Sequence, residues 1–212
     1  MKSKRNFVPL AELLDALAPI VRPAMLEQFR PDCCVDTCIV LRRVFRTFGF
    51  DSHPLAVTVQ VFNKNMLRLL QDRVVLPADR QDRIEFCERE GAWGIGIGTG
   101  DGLRSSQGLF NGHLVLRMNR MLVDASLQQV ERIDRGIVLG SFLAKEARQD
   151  FFDGKDRPMS VFDVNGCAVT YRRILDDSYH HNEHWTSPSP LHSRVSKKII
   201  EQAQAELGLM IS

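Results

Sequence analysis

Charge of one sign is what this chain lacks most plainly. Its 28 Lys and Arg stand against 26 Asp and Glu, for a net charge of +2, and the basic residues never gather into a sustained block. That excludes the electrostatic footprint of a nucleic-acid binder. Long apolar runs are missing too: nothing approaches the roughly 18 residues a membrane helix needs. Lys2, Lys4 and Arg5 precede an apolar stretch in the manner of a signal peptide, but Glu12 and Asp15 interrupt it and no small-residue cleavage site follows. A soluble, cytoplasmic protein without nucleic-acid or membrane partners is expected. Cysteine is sparse and odd in number, five in 212 residues, and a chain this long needs no disulfide staples, so reduced thiols are expected. Internal repeats and low-complexity linkers are absent, which leaves a single domain over residues 1–212.

Recognisable metal and phosphate motifs are absent as well. Cys33, Cys34 and Cys38 do not form a two-by-two ligand pattern. The run "GIGIGTGDG" has no lysine-serine ending, so it reads as a mobile loop rather than a phosphate cradle. His180, His181 and His184 fall in "HHNEH", shortly before Pro188, and read as a solvated polar loop. No metal and no cofactor is called for.

What is present is a clear alternation of periods. "NFVPLAELLDALAPIVRPAMLEQF" reads as one helix from Pro9, disturbed at Pro19 and Pro23. From Asp32, a plausible N-cap, to Phe48 an amphipathic helix carries Cys34, Cys38, Leu41 and Phe45 on one stripe and ends at Gly49. Pro54 to Phe62 is β-branched and alternating, a strand; Lys64 to Gln71 is a short helix; "RIEFCE" is a second strand candidate. The front of "GAWGIGIGTGDG" alternates like a strand, with Trp93 able to reach a site from the loop. Two hairpins follow, "HLVLRMNRMLVDAS" around Asn119-Arg120 and "MSVFDVNGCAVTYRRI" around Asn165-Gly166. Ile137 to Phe152 between them is helix-like, and a closing helix follows Pro188 and Pro190. The order predicts an α+β domain: N-terminal helices on a mainly antiparallel sheet, with a C-terminal helix.

Three of the five cysteines crowd into "PDCCVDTC". A thiol in the first turn of a helix feels the positive end of the macrodipole, which favours the thiolate. Cys33 and Cys34 occupy that turn about 100° apart, so only one can face a given partner. Cys38 lies a turn further in, on the core stripe. A thiolate nucleophile wants an imidazole, and the imidazole wants an orienting group. The first hairpin offers both. With Asn119-Arg120 as the turn, Met118 faces Met121, Val115 faces Asp124 and His113 faces Ser126. His113 and Asp124 then share one face as diagonal neighbours at roughly 7 Å, and a slip of one residue would separate them.

"CCVDTCIVLRRVFRTFGF", with Gly49 fifteen positions after Cys34, resembles the nucleophile helix of the transglutaminase-like branch of papain-like enzymes. That branch includes bacterial transglutaminase-core proteins and, more distantly, arylamine N-acetyltransferases. "GHLVLRMNRMLVDAS" is similar to their His and Asp strands, in the family's chain order. The resemblance covers about residues 32–127 and leaves 128–212 as a C-terminal hairpin and closing helix. It implies a papain-like core with Cys34 as nucleophile, His113 as general base and acid, and Asp124 as the orienting carboxylate. The implied activity is acyl transfer from a peptide, protein or small-molecule amide or thioester: a protease, amidase, deamidase or transglutaminase-like enzyme. The alternatives are an arylamine N-acetyltransferase-like enzyme or a noncatalytic interaction domain on the same fold.

Overall fold

Proline placement sets the N-terminal architecture. A computed structural model describes residues 8–98, 112–154, 158–175 and 178–209. The segment expected as one disturbed helix is two: α1 (Leu10–Leu17) follows Pro9, and α2 (Val21–Leu26) begins after the break at Pro19. Pro23 is accommodated in the first turn of α2, where backbone N–H groups have no intrahelical acceptor. Helix α3 (Cys34–Thr47) ends as expected at Gly49, which takes φ +86°. Its N-cap is Cys33 rather than Asp32, and no side chain caps it.

The first strand organises the sheet. β1 (His53–Phe62) is ten residues long, enough for three antiparallel partners. β2 (Gly94–Ile97) pairs along its second half, Val59 opposite Ile97, and β3 (His113–Met118) along its first half, Val57 opposite His113. The other edge of β1 takes β7 (Cys167–Arg173), Val59 opposite Tyr171. With β4 (Met121–Asp124), β5 (Leu143–Glu146) and β6 (Met159–Val164), the order is β5-β4-β3-β1-β7-β6, with β2 on β1. The result is a curled antiparallel sheet with several helices, the expected α+β arrangement.

Two helix-or-strand expectations are overturned. Arg83 to Glu88 is part of a helix, α5 (Arg80–Glu90), as α4 (Lys64–Gln71) is. Asp79 caps α5, its carboxylate accepting from the N–H groups of Gln81 and Asp82, and Gly91 closes it at φ +58°. Ile137 to Phe152 is no continuous helix: it contains β5 and the short α6 (Gln149–Phe152). Pairing with β4 draws Leu143–Glu146 into the sheet and covers an edge that would otherwise present unpaired backbone groups. The chain closes with α7 (Glu183–Thr186) and α8 (Pro190–Glu206), whose proline sits in the first turn.

Both faces of the sheet are buried. Ala56, Leu114, Leu116, Met118 and Val123 pack on Val40, Leu41, Val44 and Phe45 of α3 and on Val195 and Ile199 of α8. The other face, with Val57, Val115, Leu122, Val169 and Tyr171, is covered by Leu127, Ile137, Leu139, Phe151 and Phe152. None of the described helices is long and apolar enough to cross a membrane. All five cysteines are free thiols. Phe45 is fully buried between α3 and the sheet. Phe45→Ala should lower the unfolding free energy by about 3–5 kcal/mol in urea denaturation, and a loss below ~1 kcal/mol would contradict this packing.

Candidate active site

The turn at Asn119-Arg120 determines where two buried ionisable groups lie. Asn119 takes φ +52°, a conformation asparagine tolerates well. Met118 faces Met121, Arg117 faces Leu122 and Leu116 faces Val123, which is the expected register. The same alternation brings His113 and Asp124 together, His113 Nε2–H donating to Asp124 Oδ2 at 2.7 Å. Both residues are all but inaccessible, at 0% and 1% exposure, so this is an internal pair rather than a surface one.

Every remaining acceptor site on Asp124 is engaged. The Tyr171 hydroxyl donates to Oδ2 at 3.0 Å. The backbone N–H and hydroxyl of Ser126 donate to Oδ1 at 3.0 and 3.3 Å. A buried carboxylate with such partners can stay ionised. Burial alone would raise Asp124; the His113 charge and hydrogen bond, with Ser126 and Tyr171, reverse this and hold it below its ordinary value. The same burial and the adjacent carboxylate push the Tyr171 hydroxyl well up, so it remains a donor.

Cys34 meets the ring at the rim of the sheet. It is the first residue of α3, as His113 is the first of β3, and the two side chains lie near enough for the thiol to raise the ring's affinity for a proton. Nε2 is held by Asp124, and Nδ1 lies 2.6 Å from the side-chain amide nitrogen of Gln129. With the amide nitrogen toward the ring, Nδ1 accepts from Gln129 and the ring is neutral; an imidazolium donates from both nitrogens, and Gln129 then turns its amide to present its oxygen. Desolvation pulls the charged ring down, but the Asp124 carboxylate and then Cys34 outweigh it and lift His113 to about 10. The ring therefore stays positively charged near neutrality, which is the electrostatic partner a thiolate requires.

The other two thiols point elsewhere. Cys38 donates to the Leu114 carbonyl at 3.4 Å and is pushed well up by burial. Cys33 lies 3.5 Å from the Thr37 hydroxyl and accepts from Arg22 at 3.7 Å; burial raises it too. The structure thus brings Cys34, His113 and Asp124 together and leaves Cys33 and Cys38 apart. Trp93 is not part of this group: its indole lies under Arg135, 4.3 Å from the guanidinium carbon, and its backbone N–H donates to the Asn63 side-chain oxygen. The back half of the glycine-rich stretch, residues 99–102, lies outside the described residues. The histidine segment is not simply a solvated loop, because His180 stacks on Trp185 and His184 reaches Asp36.

Ser126 was readable from the register as the residue facing His113. Gln129 follows it in the 3-10 turn Leu127–Val130 and carried no motif of its own. Tyr171 had no signal: 47 residues separate it from Asp124. Comparison with protein-family models, curated proteins and solved structures finds no match for this chain.

The buried pair makes stability depend on pH with a definite sign. His113 is raised in the folded state, so its contribution is fully present below its unfolded value of 6.5 and is lost as pH rises toward about 10. Asp124 is lowered, so its contribution is present above 3.8 and fades as pH falls through its folded value. Urea midpoints between pH 6 and 10 should fall more steeply for the wild type than for Asp124→Asn. Parallel curves would mean the pair carries no such charge.

Proposed function

We propose that this protein is a cysteine-nucleophile acyl-transfer enzyme of the papain-like, transglutaminase-like type, acting on an amide or thioester through Cys34, His113 and Asp124. The observation that carries this reading is a helix-start cysteine beside a buried imidazole whose ring is fixed at Nε2 by a fully partnered carboxylate. A structural cysteine needs no such neighbours. Nucleophilic chemistry needs all of them.

In the proposed reaction the Cys34 sulfur adds to the substrate carbonyl carbon, and the carbonyl electron pair moves to oxygen. The backbone N–H of Cys34, at the first position of α3 and so without an intrahelical acceptor, would donate to that oxyanion. Collapse breaks the bond to the leaving amine or thiol, which takes the His113 proton, and leaves a thioester on Cys34. Water or an amine then attacks, gives its proton to His113, and releases the acyl product with Cys34 restored. Water as acceptor makes a protease, amidase or deamidase; an amine makes a transferase. Asp124 keeps the ring oriented and charged throughout, with Tyr171 and Ser126 holding Asp124.

Thiol reactivity separates this reading from a noncatalytic domain. Cys87 is only partly buried, whereas Cys34 is buried at 9% exposure, so accessibility alone favours labelling at Cys87. Substoichiometric iodoacetamide near neutral pH, followed by peptide mapping, should instead modify Cys34 first and lose that selectivity in His113→Ala. Labelling that simply follows exposure would sink the proposal. Any substrate found by screening amides, thioesters and amine acceptors should be turned over with an alkaline limit near pH 10, where His113 loses its proton. Asp124→Asn should move that limit down by removing the charge that raises the ring.

A further inference from the structure

On the opposite side of α3 from Cys34, two imidazoles from the end of the chain converge on one carboxylate oxygen. His184 Nδ1 lies 2.7 Å and His192 Nε2 2.8 Å from Asp36 Oδ1. The three donor atoms all lie within 4.8 Å of one another. We propose that Asp36, His184 and His192 form a binding site for a zinc-class divalent transition-metal ion, with water in the fourth position.

The donor set is two borderline nitrogens and one carboxylate oxygen, the mixture that zinc and its neighbours prefer; calcium and magnesium take oxygen-rich sites. A cavity of about 330 Å³ opens beside it, lined by Asp36, His184, His192, Ser189, Cys33 and Phe29, with space for a metal-bound water. His192 is preset for ligation. Its ring is 1% exposed, backed by Phe29 at 5.1 Å between centroids, and its Nδ1 lies 3.1 Å from the Ser189 hydroxyl. Ser189 is the N-cap of α8, yet its side chain makes no capping bond and turns to the ring instead. A hydroxyl can donate or accept, so Nδ1–H can donate to Ser189 and free the Nε2 lone pair for the ion, the arrangement that commonly orients metal-bound histidine.

Donor atoms about a tetrahedral zinc stand roughly 3.3 Å apart, so both separations from Asp36 must widen by about 0.5 Å. A small rotation of the Asp36 carboxylate would widen the one to His192, and His184 can widen its own: its side chain is 56% exposed, on a helix of four residues. The ion would tie the first turn of α3 to α7 and α8, elements 148 and 156 residues away in sequence. Asp36 is two positions beyond Cys34, about 200° around the helix, so this site is separate from the proposed nucleophile.

Full-length protein stripped with EDTA and titrated with ZnCl2 in a calorimeter should take up one ion per chain, with a thermal midpoint that rises as metal is added. Co2+ in its place should give tetrahedral visible absorption without thiolate-to-cobalt charge transfer. His184→Ala removes an exposed ring, should keep the metal-free circular dichroism spectrum, and should lose stoichiometric binding. Ser189→Ala should weaken binding about 10- to 100-fold. Absence of a stoichiometric site in the wild type, undiminished binding by folded His184→Ala, or a charge-transfer band placing the ion on cysteine would each overturn the proposal. Iodoacetamide selectivity for Cys34 in metal-free His184→Ala reports on the acyl-transfer reading alone, so the two proposals can fail separately.

Discussion

A carboxylate and an imidazole enclosed together, away from water, constrain this molecule more than any other contact. Desolvating two charges is costly unless their attraction and a full set of hydrogen bonds offset it. Asp124 receives four such bonds, from His113, Tyr171 and, twice, Ser126. Each donor depends on a different part of the fold. His113 requires the register of the first hairpin, Ser126 the turn that follows β4, and Tyr171 a strand from the C-terminal half lying against β1. Loss of any one leaves a buried acceptor unpaired, so the pair couples hairpin register, sheet order and the placement of the late hairpin.

The start of α3 is constrained in turn. Cys34 and Cys38 lie one turn apart on the side facing β3, where Cys38 donates to the Leu114 carbonyl and Cys34 lies near the ring of His113. Asp36 points the other way and receives His184 and His192. One helix beginning therefore serves two polar clusters on opposite sides, joined through three residues of backbone, Cys34 to Asp36. The three crowded thiols are sorted by helix phase: Cys33 beside Arg22, Cys34 on the imidazole, Cys38 in the core.

Much of this was legible in the sequence where its cause is local. Asn119 and Asn165-Gly166 mark turns whose left-handed backbone those residues favour, so both hairpins and the His113–Asp124 phase could be read directly. Pro190 and the apolar stripe of α8 likewise announce themselves. "RIEFCE" misled because its alternation is compatible with a strand, while the Asp79 cap and Gly91 stop lie outside the segment and decide for helix. Leu143–Glu146 misled for the opposite reason: its pattern allows a helix, and only the open edge of β4 makes it a strand. Tyr171 and His192 carried no local mark. Their roles come from partners 47 and 156 residues distant, a separation at which side-chain periodicity says nothing.

The reach of Tyr171 also bears on how the chain divides. The three groups of the proposed site, Cys34, His113 and Asp124, all fall within residues 32–127. Yet β7 occupies the second edge of β1, α8 packs against α3, and the Tyr171 hydroxyl completes the shell around Asp124. Residues 128–212 thus supply half the sheet's flanking strands, a wall of the core and a hydrogen bond to the orienting carboxylate. Removing them would expose the β7 edge of β1 and the β5 edge of β4 and leave Asp124 short of a donor in a buried setting, where that deficit costs most. Residues 32–127 therefore have no independent hold on the geometry their own side chains require, and the later segment belongs to the site as much as to the fold.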